Sequence, residues 1–143
     1  MLVLFLHIFT VEKRGSAKKC RGERRLNILL AEDDKNFGAV MKKEMEEENY
    51  TVDLVHDGVQ VVLSSFDKKY DLVLIDIMMP KLDGINALRI IKKINPDVSA
   101  IIFSGNMGHD EIEESLKAGA CGYFTKPFEI AELRNYIEQH LKR

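Results

Sequence analysis

The chain has 143 residues, enough for one domain with a single sizeable core. Hydrophobic residues make up 45% and charged residues 31%, which excludes disordered, collagen-like and coiled-coil classes. The net charge of −2 hides an asymmetry: residues 11–25 hold seven Lys/Arg against two Glu, a net of +5, so the rest carries −7. Such an acidic body does not grip nucleic acid by general electrostatics, and no direct nucleic-acid partner is expected.

Residues 1–11 (MLVLFLHIFTV) are apolar and a basic stretch follows. A secretory signal has its charges before the apolar region, and eleven residues are too few to span a bilayer. The segment 1–25 reads as a flexible extension or as an upstream start; a peripheral membrane anchor is the rival reading. Cys20 and Cys121 have no CxxC spacing and no His at metal spacing, which excludes a disulfide scaffold or a zinc module and suits a reducing cytosol.

From residue 26 the pattern is regular. Residues 26–31 (LNILLA) form a first apolar strand. Residues 36–48 put Phe37, Val40, Met41, Glu44 and Met45 on helical spacing. TVDLV (51–55) alternates as a second strand, and 58–68 repeats the helical spacing with Val59, Val62, Leu63 and Phe66. DLVLI (71–75) is the continuous apolar run of a strand buried on both faces. Residues 84–94 carry Ala87, Ile90, Ile91 and Ile94, and Pro96 stops that helix. SAIIF (99–103) is the fourth strand, 110–118 a short and weakly amphipathic fourth helix, CGYFT (121–125) the fifth strand, and 129–142 the last helix. Five strands alternating with five helices predict parallel βαβ units in a doubly wound sheet, an α/β architecture filling residues 26–143.

The strands end on polar residues: Glu32, Asp33 and Asp34 after the first, Asp76 on the third, Ser104 on the fourth, Lys126 and Pro127 after the fifth. In an open parallel sheet these tips converge where ligands bind. Clustered carboxylates repel unless a cation is present, and a donor set of oxygens alone selects a hard one, Mg²⁺. Carboxylates, a hydroxyl and an ammonium together make a receptor for a phosphoryl group. GxxxxGK[ST] and GxGxxG loops are both absent, so the phosphoryl group is expected to end on a carboxylate rather than stay on a nucleotide.

AEDD (31–34), DLVLIDIMMPKLDG (71–84), FSG (103–105) and YFTKPF (123–128) resemble the receiver domain of two-component response regulators, over about residues 26–142. The resemblance implies the flavodoxin-like strand order 2-1-3-4-5. It implies Asp76 as phosphoacceptor, served by a sensor histidine kinase or phosphotransfer protein. Asp33 and the backbone carbonyl of Met78 would hold Mg²⁺ with Asp76, Glu32 helping through water. Ser104 would bind a phosphoryl oxygen, Lys126 would pair with Asp76 and then with the phosphoryl group, and Tyr123 would rotate inward as Ser104 moves. A cis Lys126–Pro127 bond is expected on the same ground. The fourth helix, fifth strand and fifth helix would form the face that signals to a downstream protein or forms a homodimer on phosphorylation.

These features describe a cytoplasmic, stand-alone, chemotaxis-regulator-like receiver that assists its own chemistry but is not an enzyme. Two rivals stand beside it. A Mg²⁺-dependent aspartyl phosphatase would carry a second Asp two residues after the nucleophile, where Met78 stands; a phosphorylation-independent docking receiver would tolerate loss of the acceptor or the lysine. Two departures from the family are noted: Gly105 replaces a frequent Ala, and apolar Met78 cannot orient a hydrolytic water, which predicts slow self-dephosphorylation. Of the rest, Asp34 reads as a helix cap and Asp83–Gly84 as a turn and helix start. Asp53, Asp57, Asp71 and all four histidines read as surface or turn residues, and Cys121 as a small buried hydrophobe.

Overall fold

The computed structural model describes residues 24–141. The expected extension over 1–25 lies, except for Arg24 and Arg25, outside the described residues. The elements run β1 (Asn27–Ala31), α1 (Lys35–Glu47), β2 (Thr51–Val55), α2 (Gly58–Asp67), β3 (Leu72–Asp76), α3 (Gly84–Ile94), β4 (Ser99–Ser104), α4 (His109–Lys117), β5 (Gly122–Thr125) and α5 (Ile130–His140). All strand pairings are parallel and the sheet order is 2-1-3-4-5.

The strand periodicity of two divides the core into two layers. Leu29, Ala31, Val73, Ile75, Ala100 and Ile102 face one side, where they meet Val61 of α2 and Ala87, Leu88 and Ile91 of α3. Ile28, Leu30, Leu72, Leu74, Ile101 and Phe103 face the other, against Met41 and Met45 of α1 and Leu133 and Ile137 of α5. Covering both faces explains why β3 is apolar throughout its first four residues, all of them buried. Each fully buried Leu or Ile adds roughly 1.5–3 kcal/mol relative to exposure.

Helix starts follow local chemistry. Asp34 accepts from the backbone N–H groups of Asn36 and Phe37, and Asp83 accepts from that of Asn86, both as expected. Asp57 caps α2 in the same way, as fits the turn half of its reading as a surface or turn residue, but it is buried rather than at the surface. Its other oxygen pairs with Lys81 Nζ at 3.3 Å.

The helical spacings hold, but two helix faces turn differently from expectation. Val40 faces solvent on α1, and on α2 Val59, Leu63 and Phe66 are exposed at 41%, 57% and 68%. On that helix it is Val61 that is buried, and the helix start lies hard against the loop after β3: at Gly58 a Cβ would lie 2.0 Å from the Leu82 carbonyl oxygen, an approach only a glycine allows. The fourth helix is as weakly anchored as its pattern suggests, with Ser115 its one buried residue. Cys121 is exposed, not buried, because it precedes an edge strand of only four residues.

Candidate functional site

Parallel strands put every carboxyl end on one edge of the sheet. The chain leaves β1 towards β2 on one side and returns to β3 on the other, so a crevice opens between the tips of β1 and β3. Glu32 and Asp33 follow β1 and Asp76 closes β3; one oxygen from each of the three lies within 4.8 Å of the others. Glu32 and Asp76 are buried and Asp33 is exposed.

Lys126, just past β5, reaches into this cluster. Its Nζ lies 2.7 Å from Glu32 Oε1 and 3.0 Å from Asp76 Oδ2. Burial opposes its charge, but the hydrogen bonds to Glu32 and Asp76 outweigh that and hold the ammonium above its ordinary pKa. The Lys126–Pro127 peptide is cis, as expected. Burial pushes the Glu32 carboxyl up, with the charge of Asp76 adding to it; hydrogen bonds from Lys126 and the Asp34 N–H pull the other way. Asp76 Oδ1 accepts the Met78 N–H at 3.1 Å, so the two oxygens of that carboxylate have different partners.

Ser104 is buried at the tip of β4, one residue beyond Phe103, the register partner of Asp76. Its carbonyl oxygen accepts the Lys126 N–H at 2.8 Å, tying the fourth and fifth strand tips together. The structure thus gathers Glu32, Asp33, Asp76 and Lys126 in one cluster and puts Ser104 at the neighbouring strand tip on the same edge of the sheet. Met78 lies on the rim and is 69% exposed, and Tyr123 is an exposed residue of β5, outside the acidic cluster.

Several contacts were not foreseen. Glu32 engages Lys126 directly, a pairing between residues 94 positions apart. The rings of Phe37 and Phe103 lie 4.8 Å and 5.2 Å from Lys126 Nζ. His56, read as a partnerless surface residue, donates from Nδ1 to the Glu32 carbonyl oxygen at 2.9 Å. Gly84 sits so close to the phosphoacceptor candidate that a Cβ would lie 2.3 Å from the Asp76 carbonyl oxygen. The DG steps at 57–58 and 83–84 are the sequence signals that could have located these two tight junctions.

Three oxygen donors in reach of one another, two of them buried, fit a hard divalent cation such as Mg²⁺. No His or Cys belongs to this cluster. Among the described residues no helix is long and apolar enough to cross a membrane.

Fold and site together define a doubly wound α/β module with an acidic, lysine-bridged pocket at its switch point. Residues 28–138 match the family model of the response regulator receiver domain, and the chain belongs to that family of two-component systems. It is 35% identical over 121 residues to the transcriptional regulatory protein RprY of Bacteroides fragilis, an alignment covering 85% of this chain and 51% of that protein. Among solved structures, a CheY-like receiver domain protein from Methanospirillum hungatei superposes with a TM-score of 0.80 at 26% identity, covering 82% of this chain and 94% of the other. The receiver domain of a sensor histidine kinase from Pseudomonas aeruginosa, with a magnesium ion coordinated in its active-site cleft, superposes with a TM-score of 0.75 at 33% identity, covering 82% and 98%. The chain spans about half the length of the curated relatives it matches first. Because RprY is a transcriptional regulator, the expectation of no nucleic-acid partner finds no support here.

Proposed function

We propose that Asp76 accepts a phosphoryl group from a phosphohistidine of a sensor kinase or phosphotransfer protein, in a Mg²⁺-dependent reaction in the cytoplasm. The carrying observation is Lys126 held between Asp76 and Glu32, beside three mutually close carboxylates. An Asp76 oxygen attacks phosphorus in line; the P–N bond to the donor imidazole breaks and its electron pair goes to nitrogen. Asp33, Asp76 and the Met78 carbonyl would hold Mg²⁺, with Glu32 acting through water; bound there, the ion supplies positive charge for the equatorial oxygens. Lys126, just past β5, supplies a second positive charge, and the Ser104 hydroxyl donates to a phosphoryl oxygen. The Met78 N–H fixes the rotation of the Asp76 carboxylate through Oδ1.

The acyl phosphate adds charge at the pocket and draws Ser104 and the loop after it inward. Tyr123 then turns from its exposed position into the space released. The face of α4, β5 and α5 carries the change to a downstream protein or to a second copy of the chain. A loosely anchored α4 suits such a face. An aspartyl phosphatase is disfavoured by Met78, which cannot serve as a general acid.

Incubation with acetyl phosphate and Mg²⁺, read by intact mass, tests the reading. One added phosphoryl group is expected, absent in Asp76→Asn and absent when EDTA replaces Mg²⁺. An unchanged mass of the wild-type chain would overturn it.

A further inference from the structure

Besides its bonds to Glu32 and Asp76, the Lys126 ammonium lies over two rings, Phe37 and Phe103. Both centroids lie inside the roughly 6 Å range over which an aromatic face attracts a cation. We propose that Phe37 is a positioning residue for the phosphoryl transfer: with Phe103 it brackets the Lys126 ammonium and keeps it where it can serve Asp76. The inference rests on the function proposed above.

Neither ring is free to drift. Phe103 is buried, and Phe128 stands edge-on to it at 5.9 Å and to Phe124 at 5.2 Å. Phe37 belongs to the first turn of α1, where its N–H donates to Asp34 Oδ1 at 3.1 Å. The next residue, Gly38, lets that turn lie against β1 and β2: a Cβ there would stand 3.4 Å from Glu32 Cγ and 3.1 Å from Leu54 Cδ1. The ring is thus carried by a helix end packed on the residue that competes with Asp76 for the lysine.

With both rings in place Nζ bonds Glu32 at 2.7 Å and Asp76 at 3.0 Å, so the rings do not choose between the carboxylates; they hold the ammonium within reach of both. A third carboxylate would hold the lysine too but would cancel its charge. A ring face attracts the ammonium, excludes water from it and leaves its positive charge available to an incoming phosphoryl group. Phe37 is half-buried, so replacing it does not empty the core.

The test measures initial rates of phosphorylation against acetyl phosphate concentration at saturating Mg²⁺ for the wild type, Phe37→Leu, Phe37→Met and Phe37→Tyr. The Leu and Met variants fill similar space without a ring face. Their maximal rate should fall roughly five-fold with KM unchanged, while Phe37→Tyr stays near the wild type. The ε-methylene protons of Lys126, shifted by ring currents in the wild type, should move towards their unshifted position in Leu and Met and stay in Tyr. Equal rates in the wild type and both ringless variants would overturn the inference, as would equal losses in Tyr and Leu, or a loss confined to KM. A wild-type chain that stays unmodified overturns the phosphoacceptor reading and this inference with it; a wild type that reacts at the same rate as Phe37→Leu overturns this inference alone.

Discussion

Lys126 Nζ stands 2.7 Å from Glu32 Oε1, closer than its 3.0 Å to Asp76. One ammonium therefore balances a cluster whose other charged members are three carboxylates. Breaking a buried pair from one side leaves charge uncompensated. Lys126→Ala should accordingly cost about 2 kcal/mol in EDTA, a value reduced from the usual 3–5 kcal/mol because the pocket is partly open. Mg²⁺ should then recover more stability in the variant than in the wild type, since it meets no competing ammonium. Thermal unfolding with and without Mg²⁺ reads both; an equal Mg²⁺ effect in the two proteins would contradict the arrangement.

Gly84 ties the start of α3 to the tip of β3. Its N–H donates to the Ile77 carbonyl oxygen at 2.9 Å, and an added Cβ would meet the Asp76 carbonyl oxygen at 2.3 Å and Ile77 Cα at 2.9 Å. These neighbours are backbone atoms, which cannot swing aside. Gly84→Ala should destabilise by about 2–3 kcal/mol. Gly105 is the control: a Cβ there meets nothing within 4 Å, so Gly105→Ala should stay within about 0.5 kcal/mol of the wild type. Urea unfolding of both variants decides the point.

The strands were readable because burial on both faces leaves an uninterrupted apolar run, as in 72–75; their order came from the family resemblance of the motifs at the strand tips, not from the runs themselves. Helix rotation was less readable. Spacing alone groups Val59, Leu63 and Phe66 on one face, but which face of α2 meets the sheet depends on packing against distant residues, such as the approach of Gly58 to Leu82, 24 positions away. The same limit hid the Asp57–Lys81 pair and the Glu32–Lys126 bond, each a product of chain return rather than of local pattern. Cys121 was misplaced because a strand rich in small and aromatic residues reads alike at the edge and at the centre of a sheet.

Asp57 predicts an acid limb to stability. Its carboxyl is held below the usual range, first by the Gln60 N–H at the start of α2 and further by Lys81, against the effect of its burial. A depressed pKa stabilises the fold above the unfolded value of about 3.9, and that contribution disappears as pH falls through the folded value. Asp57→Ala should cost about 1 kcal/mol at pH 7 through loss of the cap. The gap to the wild type should close as pH drops from about 5 towards 3. Denaturant midpoints at several pH values measure it; a gap that is constant with pH would show that the carboxylate charge plays no part.

Under the function proposed above, Met78 should set the lifetime of the phosphorylated state. It stands two residues beyond Asp76, the residue is 69% exposed, and its thioether offers no useful hydrogen bond to a water approaching phosphorus. Hydrolysis of the acyl phosphate then proceeds without a side chain to orient the nucleophile at this position. Met78→Asn supplies an amide that orients water without acting as a base, so decay should quicken by roughly ten-fold, below the ~10²–10⁴ of general-base catalysis. The N–H of residue 78 still reaches Asp76 Oδ1 in the variant, so the rate of phosphorylation should hold while dephosphorylation changes. Decay of phosphorylated protein after removal of acetyl phosphate, followed by intact mass at neutral pH, separates the two. Decay in the wild type as fast as in Met78→Asn would mean that the apolar rim does not limit hydrolysis.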